Sequence, residues 1–202
     1  IMVAIADVSW YVREGSSLDR DARERGNSVY FPDRVVPMLP EALSNGLCSL
    51  KPDENRPCLA VHMWIAPNGE LTRHTFVRGL MKSTARLTYS EVQGIHDGRR
   101  DDQTASLLAT VIKPLYGAFE TLLKSRNRRS ALELDIPERR IEVADDGTVR
   151  AITKHERLDS HRLIEEFMIT ANVAAAETLE KHRQSCMYRI HDRPSKEKAE
   201  AL

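Results

Sequence analysis

The chain has 202 residues, of which 30 are basic and 30 acidic, so its formal net charge is zero. That length suits one domain with a sizeable buried core. The charge balance excludes a global field drawing the chain to nucleic acid or to a membrane surface, so a nucleic-acid partner would need basic residues clustered by the fold. Cys48, Cys58 and Cys186 are odd in number, far apart and without CxxC spacing. They read as reduced, packed thiols, not as a zinc site or a disulfide framework. No apolar run approaches a transmembrane span and no signal peptide is visible. A cytoplasmic location without a membrane partner is therefore expected. The chain opens directly on an apolar stretch at Ile1, which suggests a piece of a longer protein.

Met2 to Asp7 is a short apolar run that reads as a largely buried strand. Ser17 is placed to cap a helix through Arg25, with Asp19 and Asp21 in its first turn and Gly26 as its stop. Between Val29 and Pro40, the prolines at 32, 37 and 40 fix φ and predict a stiff, extended loop suited to the wall of a groove. Leu59 to Ile65 and Leu71 to Met81 predict a hairpin across Pro67-Asn68-Gly69, because Asn-Gly supplies the positive φ of a tight turn. Leu59, Val61, Met63 and Ile65 alternate with Ala60, His62 and Trp64, so both faces of that strand should be partly covered.

From Asp102 to Lys124, Leu107, Leu108, Val111, Ile112, Leu115, Phe119, Leu122 and Leu123 fall at helical spacing, with Pro114 kinking or dividing the helix. Asp101-Asp102 opens it, where the dipole and a capping role account for two acids. A second antiparallel unit pairs Arg139 to Ala144 with Thr148 to Thr153. Its Asp145-Asp146-Gly147 reads as a hairpin turn in preference to a pair of metal carboxylates. A long helix is predicted over Asp159 to Lys181, with Ile164, Met168, Ala171, Ala175 and Leu179 along one stripe. Met187 to Ile190 reads as a last short strand, and Ser195 caps a terminal helix. The fold class is α+β with antiparallel pairing dominant.

Few side chains carry a chemical signal by themselves. His161 and Glu165 stand at i and i+4, a spacing that can hold a metal but more often marks a solvated pair. Lys124, Arg126, Arg128 and Arg129 form the densest basic run, best read as a solvated helix end, with phosphate contact as the minority reading. Arg23, Arg25 and Arg34 flank the proline loop and are candidates to line a channel. Asp7 ends a buried strand, and a buried carboxylate needs partners.

Four blocks near the start carry a resemblance. They are Ile5-Ala6-Asp7-Val8-Ser9, Arg25-Gly26-Asn27-Ser28-Val29-Tyr30-Phe31-Pro32, Pro37-Met38-Leu39-Pro40 and Leu43-Ser44-Asn45-Gly46-Leu47-Cys48-Ser49-Leu50. In this order they resemble the catalytic-domain core of the RNase II/RNase R exoribonucleases, the RNB domain. Ala85-Arg86-Leu87-Thr88-Tyr89, Glu165-Glu166-Phe167-Met168-Ile169-Thr170-Ala171-Asn172 and Tyr188-Arg189-Ile190-His191-Asp192-Arg193-Pro194 extend the likeness along the chain. The last of these looks more like the RNase R branch, since the stacking phenylalanine of the RNase II branch is missing near Pro194.

The resemblance implies that residues 1–202 are a partial RNB catalytic domain, cut at both ends, with a mainly antiparallel curved sheet packed with helices. It implies a monomeric 3′-to-5′ exoribonuclease that hydrolyses single-stranded RNA to nucleoside 5′-monophosphates. In that family clustered aspartates just upstream of the IADVS strand hold Mg²⁺, which generates a hydroxide nucleophile and stabilises the leaving oxygen. Those aspartates and the family's later arginine motif have no counterpart in this chain. No catalytic or metal-ligating residue is therefore assigned, and the 202 residues alone are expected to be inactive. The alternative is a catalytically silent RNB-like module for RNA binding or interaction.

By position, Tyr89 matches the family tyrosine that stacks on the terminal base and sets how short the final product is. From residues alone Tyr89 reads as a packing residue at a strand-to-helix junction. Arg25 and Tyr30 are the other RNA-binding candidates. Asp7 is assigned either a hydrogen-bonding role beside the metal motif or a purely structural one. Pro37 to Pro40 is expected to border a groove on the side of Tyr89.

Overall fold

A computed structural model of the chain describes residues 1–99, 105–129, 139–144, 146–154, 156–190 and 192–200. Asp101-Asp102, Asp145 and His191, singled out above, lie outside the described residues. In chain order the elements are β1 (Met2–Ala6), α1 (Val8–Tyr11), α2 (Ser17–Arg25), β2 (Val29–Tyr30), β3 (Val35–Val36), a π-helical turn over Ala42–Leu47, β4 (Asn55–Ile65) and β5 (Leu71–Lys82). There follow α3 (Tyr89–His96), α4 (Ala105–Leu107), a π-helical stretch over Leu108–Ile112, α5 (Lys113–Arg128), β6 (Arg139–Val143), β7 (Val149–Lys154), α6 (Asp159–Lys181) and α7 (Lys196–Glu200). The α+β expectation holds. Every named strand pair is antiparallel, but the pairs are divided among a three-stranded sheet, β1-β4-β5, and two short ribbons, β2-β3 and β6-β7.

Several local readings shift by small amounts, each for a physical reason. Ser16, not Ser17, caps α2: its backbone is extended and its Oγ accepts from the Asp19 amide at 3.2 Å. Gly26 ends that helix at φ +76°, as the sequence predicts. The proline loop contains a small ribbon, Val29 opposite Val36 and Tyr30 opposite Val35. Pro32 sits in its turn and Pro37 just past it, where neither owes the ribbon an N–H. Pro114 divides the central helix: it is the second residue of α5, and the backbone ahead of it widens into the π-helical stretch. Met187 to Ile190 forms no strand, and Met187, Tyr188 and Ile190 are exposed. Ser195 caps α7 by accepting from the Lys198 amide at 3.3 Å.

The largest correction concerns α6. The hydropathic stripe is offset from the face that is buried: Ile164, Met168 and Leu179 are exposed, while Ser160, Leu163, Glu166, Phe167 and Ala174 are buried. A hydropathy reading passes over Ser160 and Glu166 because both are polar. Their polar atoms find partners inside. Ser160 Oγ donates to the Tyr89 carbonyl at 2.9 Å, and Glu166, only 3% exposed, accepts from Arg126 at 2.5 Å. Arg126 is thus part of the interior, not of a solvated helix end.

Two hydrophobic clusters meet along α6. Leu163 and Phe167 join Ile95, Ile112, Tyr116, Phe119 and Leu122 in the helical core. Ala174 packs on Val61 and Met63 of the sheet. Both faces of β4 are covered at Ala60 and Val61, whereas Trp64 at the far end is exposed, with Arg73 stacked over its ring at 3.7 Å. Among the described residues no helix is long and apolar enough to cross a membrane.

The β4–β5 turn is fastened to α5. Arg128 donates to the Asn68 carbonyl, and a Cβ at Gly69 would lie 2.4 Å from the Thr121 carbonyl oxygen and 2.7 Å from Ser125 Cβ. Gly69 has φ +84°, Gly147 has φ +83°, and only the latter has open space around it. Gly147→Ala should therefore cost about 1–2 kcal/mol, the price of the left-handed backbone alone. Gly69→Ala should cost roughly 3 kcal/mol or more, since helix backbone cannot yield as a flexible side chain can. Paired urea titrations test the order, and equal midpoints would remove the close approach to α5 as a constraint.

Candidate nucleic-acid interface

Tyr89 is the first residue of α3, and its placement follows from a capping box. Thr88 Oγ1 accepts from the Glu91 amide at 3.3 Å, while Glu91 Oε2 accepts from the Thr88 amide at 2.6 Å and from its hydroxyl at 2.7 Å. The amide bond and then the hydroxyl bond hold the Glu91 carboxyl below its ordinary range. With the first turn fixed, the Tyr89 ring projects outward and is 44% exposed. One face of it rests on His161, ring centroids 4.1 Å apart and planes 23° from parallel.

His161 stands in the first turn of α6. Leu158 at the helix start has no side-chain acceptor, and the imidazole serves instead, Nδ1 accepting from the Leu158 amide at 3.2 Å. The starts of α3 and α6 are then tied to each other. Beyond the Ser160–Tyr89 bond, Gln93 Oε1 accepts from the Ser160 amide at 3.1 Å and from the Tyr116 hydroxyl at 3.2 Å. Burial, reinforced by Asp159 and Asp97, pushes the Tyr116 phenol up to about 12, so it remains a donor across ordinary pH.

These two helix starts and the β6–β7 ribbon enclose a cleft of about 350 Å³. Tyr89 and His161 supply its rings, Lys154 its cation, and Glu142, Glu156 and Thr153 its acceptors. The rings offer a flat stacking face with one cation beside it, while Glu142 and Glu156 give the lining more acidic than basic side chains. The wall is the β6–β7 ribbon, and Pro37 to Pro40 do not line this cleft. A second cleft, about 500 Å³, lies beside Gly69. There Arg128 and Arg129 face Glu70, Glu166 and Glu177, and no aromatic residue lines it.

The remaining candidates lie elsewhere. Tyr30 is 77% exposed on the β2–β3 ribbon, next to Phe31, over which Arg34 sits at 4.9 Å. Arg25 pairs with Asp21 at 3.1 Å one turn back on α2. Neither Arg25 nor Tyr30 lines the Tyr89 cleft. Asp7 is 5% exposed and fully engaged: Oδ2 meets Arg78 Nε at 2.9 Å, and Oδ1 accepts from Ser9 at 2.7 Å and from Arg78 at 3.3 Å.

Glu165, four residues on from His161, is held by Arg157 and lies 3.7 Å from Arg126. Among the described residues no three His, Cys, Asp or Glu side chains converge, so these side chains do not compose a site for the Mg²⁺ that the resemblance implies. The sequence singles out Tyr89 and, for its spacing from Glu165, His161, but gives no sign that the two rings meet. The Thr88-x-x-Glu91 spacing was a legible signal for the helix start, whereas nothing local connects residue 89 to residue 161.

The RNB domain family model matches residues 1–202. Ribonuclease R of Escherichia coli (strain K12) is 44% identical over 199 residues, which are 98% of this chain and 24% of that protein. Ribonuclease R of Aquifex aeolicus (strain VF5) is 39% identical over 206 residues, covering 100% of this chain and 29% of that protein. The chain thus spans about a quarter of the length of these curated relatives. Among solved structures, Mycoplasma genitalium RNase R in complex with ribose methylated single-stranded RNA matches with a TM-score of 0.92 at 29% identity, over 99% of this chain and 31% of that one. Yeast Ssd1, a pseudonuclease, matches with a TM-score of 0.65 at 19% identity, over 89% of this chain and 22% of that one, a likeness of fold alone. The chain belongs to the RNB domain family.

Proposed function

We propose that the protein containing this chain is a 3′-to-5′ exoribonuclease that releases nucleoside 5′-monophosphates, and that this chain holds single-stranded RNA at the Tyr89 cleft. One observation carries the reading: Tyr89 is held at a helix start with its ring half exposed in a cleft that also contains Lys154. Bases stack on such rings whatever their sequence, for about 1–3 kcal/mol each, and phosphates accept from nearby cations. RNase R of Mycoplasma genitalium, solved with single-stranded and with double-stranded RNA, supports RNA as the partner.

Arg25 and Tyr30 are proposed as a separate contact on the strand, and a monomer acting in the cytoplasm fits an RNA substrate. Mg²⁺ is proposed for the full-length protein. It would supply an activated water and charge stabilisation, with no ligand assigned in this chain. A catalytically silent module is the second reading, favoured by the fold shared with the pseudonuclease Ssd1. Incubating the full-length protein with 3′-extended RNA, with Mg²⁺ and with EDTA, separates the two. Mg²⁺-dependent shortening from the 3′ end supports the enzyme, and intact RNA supports the silent module.

Tyr89→Ala should remove the stacking contact, about 1–3 kcal/mol, and lengthen the limit products while long RNA is still degraded. Tyr89→Phe keeps the π-face and should match the parent. Unchanged limit products for Tyr89→Ala would return the ring to a packing role.

For Asp7 a structural part is proposed: it pins Arg78 and Ser9 at the end of β1. Asp7→Asn should cost about 1–3 kcal/mol by urea titration, toward the lower end because Arg78 is half exposed. Loss of RNA hydrolysis without loss of stability would instead assign Asp7 to the reaction centre.

A further inference from the structure

We propose that the outer face of α6 is an interface, covered by an apolar segment of the same polypeptide that lies outside residues 1–202. The inference rests on the reading above that this chain belongs to a longer protein, and not on that protein's activity. From Phe167 to Ala176 the helix carries no charged residue on any side. A helix that is apolar all round is ordinarily enclosed, and one bordering water ordinarily turns a polar face outward. Here only one side is enclosed. Phe167 and Ala174 are buried, whereas Ile164, Met168 and Leu179 are exposed at helical spacing along one stripe. The segment after α6 also exposes Met187, Tyr188 and Ile190. The Tyr188 hydroxyl donates to Glu180, so this segment is held beside the helix end and continues the apolar surface.

The chemistry of the face selects its occupant. Between Ile164 and Leu179 the exposed side chains include no Lys, no Arg and no aromatic ring. RNA would find neither a phosphate contact nor a stacking surface there. A helix lying on a membrane surface would flank its stripe with cations, and this one does not. An apolar protein surface is left, and the same polypeptide is its nearest source. The chain spans about a quarter of the length of the curated relatives it matches, so most of a protein of their length lies outside these residues. A tethered segment meets the face at an effective concentration on the order of millimolar, which a second copy reaches only in concentrated solution. The stripe that hydropathy marks as core is then core in the larger protein.

Methionine oxidation reads this face in the unaltered full-length protein. Met168 is 55% exposed on the stripe, and Met63 is 2% exposed in the sheet core. Brief treatment with hydrogen peroxide followed by peptide mass spectrometry gives the rate of sulfoxide formation at each, with the urea-unfolded protein as the fully reactive reference. Leu179→Cys, labelled with a maleimide, reports on a second position of the stripe. Glu24→Cys, at an exposed site on α2, is its freely labelled reference. Both measurements are repeated over a dilution series followed by light scattering, and with and without an oligoadenylate.

The expected result is a monomer in which Met168 oxidises at least about tenfold more slowly than in urea, since reaction must await local opening of the interface. Leu179→Cys should likewise label more slowly than Glu24→Cys. Met168 reacting as fast as in urea would overturn the proposal, and so would a native protein of only these 202 residues. Protection lost as a dimer dissociates would assign the face to a second copy, and protection seen only with the oligoadenylate would assign it to RNA; either result overturns the proposal. Should Leu179→Cys lower the melting temperature, Met168 in the unaltered protein still decides. None of these outcomes reads nuclease activity, so an inactive parent refutes the enzyme reading and leaves the interface standing.

Discussion

The buried face of α6 is the constraint on which the rest depends. One helix passes through both hydrophobic clusters, giving Leu163 and Phe167 to the helical core and Ala174 to the sheet. Burial of side chains the size of Leu163 and Phe167 contributes roughly 1.5–3 kcal/mol each. The same face carries Ser160 and Glu166, which must be satisfied if they are to lie inside. Glu166 is met by Arg126 of α5 and Ser160 by the backbone of α3, so the polar residues choose the rotation of the helix as firmly as the apolar ones do. A buried ion pair of this kind adds little net stability. It strongly penalises any arrangement that separates the partners.

That rotation builds the site. With Ser160 turned inward to reach α3, His161, the next residue, emerges beside Tyr89 at the mouth of the cleft. The position of the Tyr89 ring is therefore a consequence of core packing, and its half exposure is a consequence of the capping box that starts α3. Rings mounted on helix starts are held more rigidly than rings on loops.

Charge behaves in the same way. The chain is neutral overall, and several of its arginines are held by particular carboxylates: Arg126 by Glu166, Arg157 by Glu165, Arg78 by Asp7 and Arg25 by Asp21. The RNA reading therefore leans on aromatic stacking and single cations such as Lys154, and not on a broad positive field.

The sequence by itself determined the family, the order of elements and the local stops. Blocks such as Ile5 to Ser9 and Arg25 to Pro32, the Gly26 stop, the Gly69 and Gly147 turns and the division at Pro114 are all written in nearest-neighbour chemistry. The bounds of α6 were legible for the same reason, since helix periodicity is local. Its buried face was not. Hydropathy pointed to Ile164 and Met168, while the interior took Ser160 and Glu166, because a polar residue can be buried when a partner comes from elsewhere in the chain. Only the tertiary structure decided that Tyr89 meets His161, that Arg126 is interior, and that the β6–β7 ribbon, not the proline loop, walls the cleft. Each depends on how separate elements pack, which no local pattern displays.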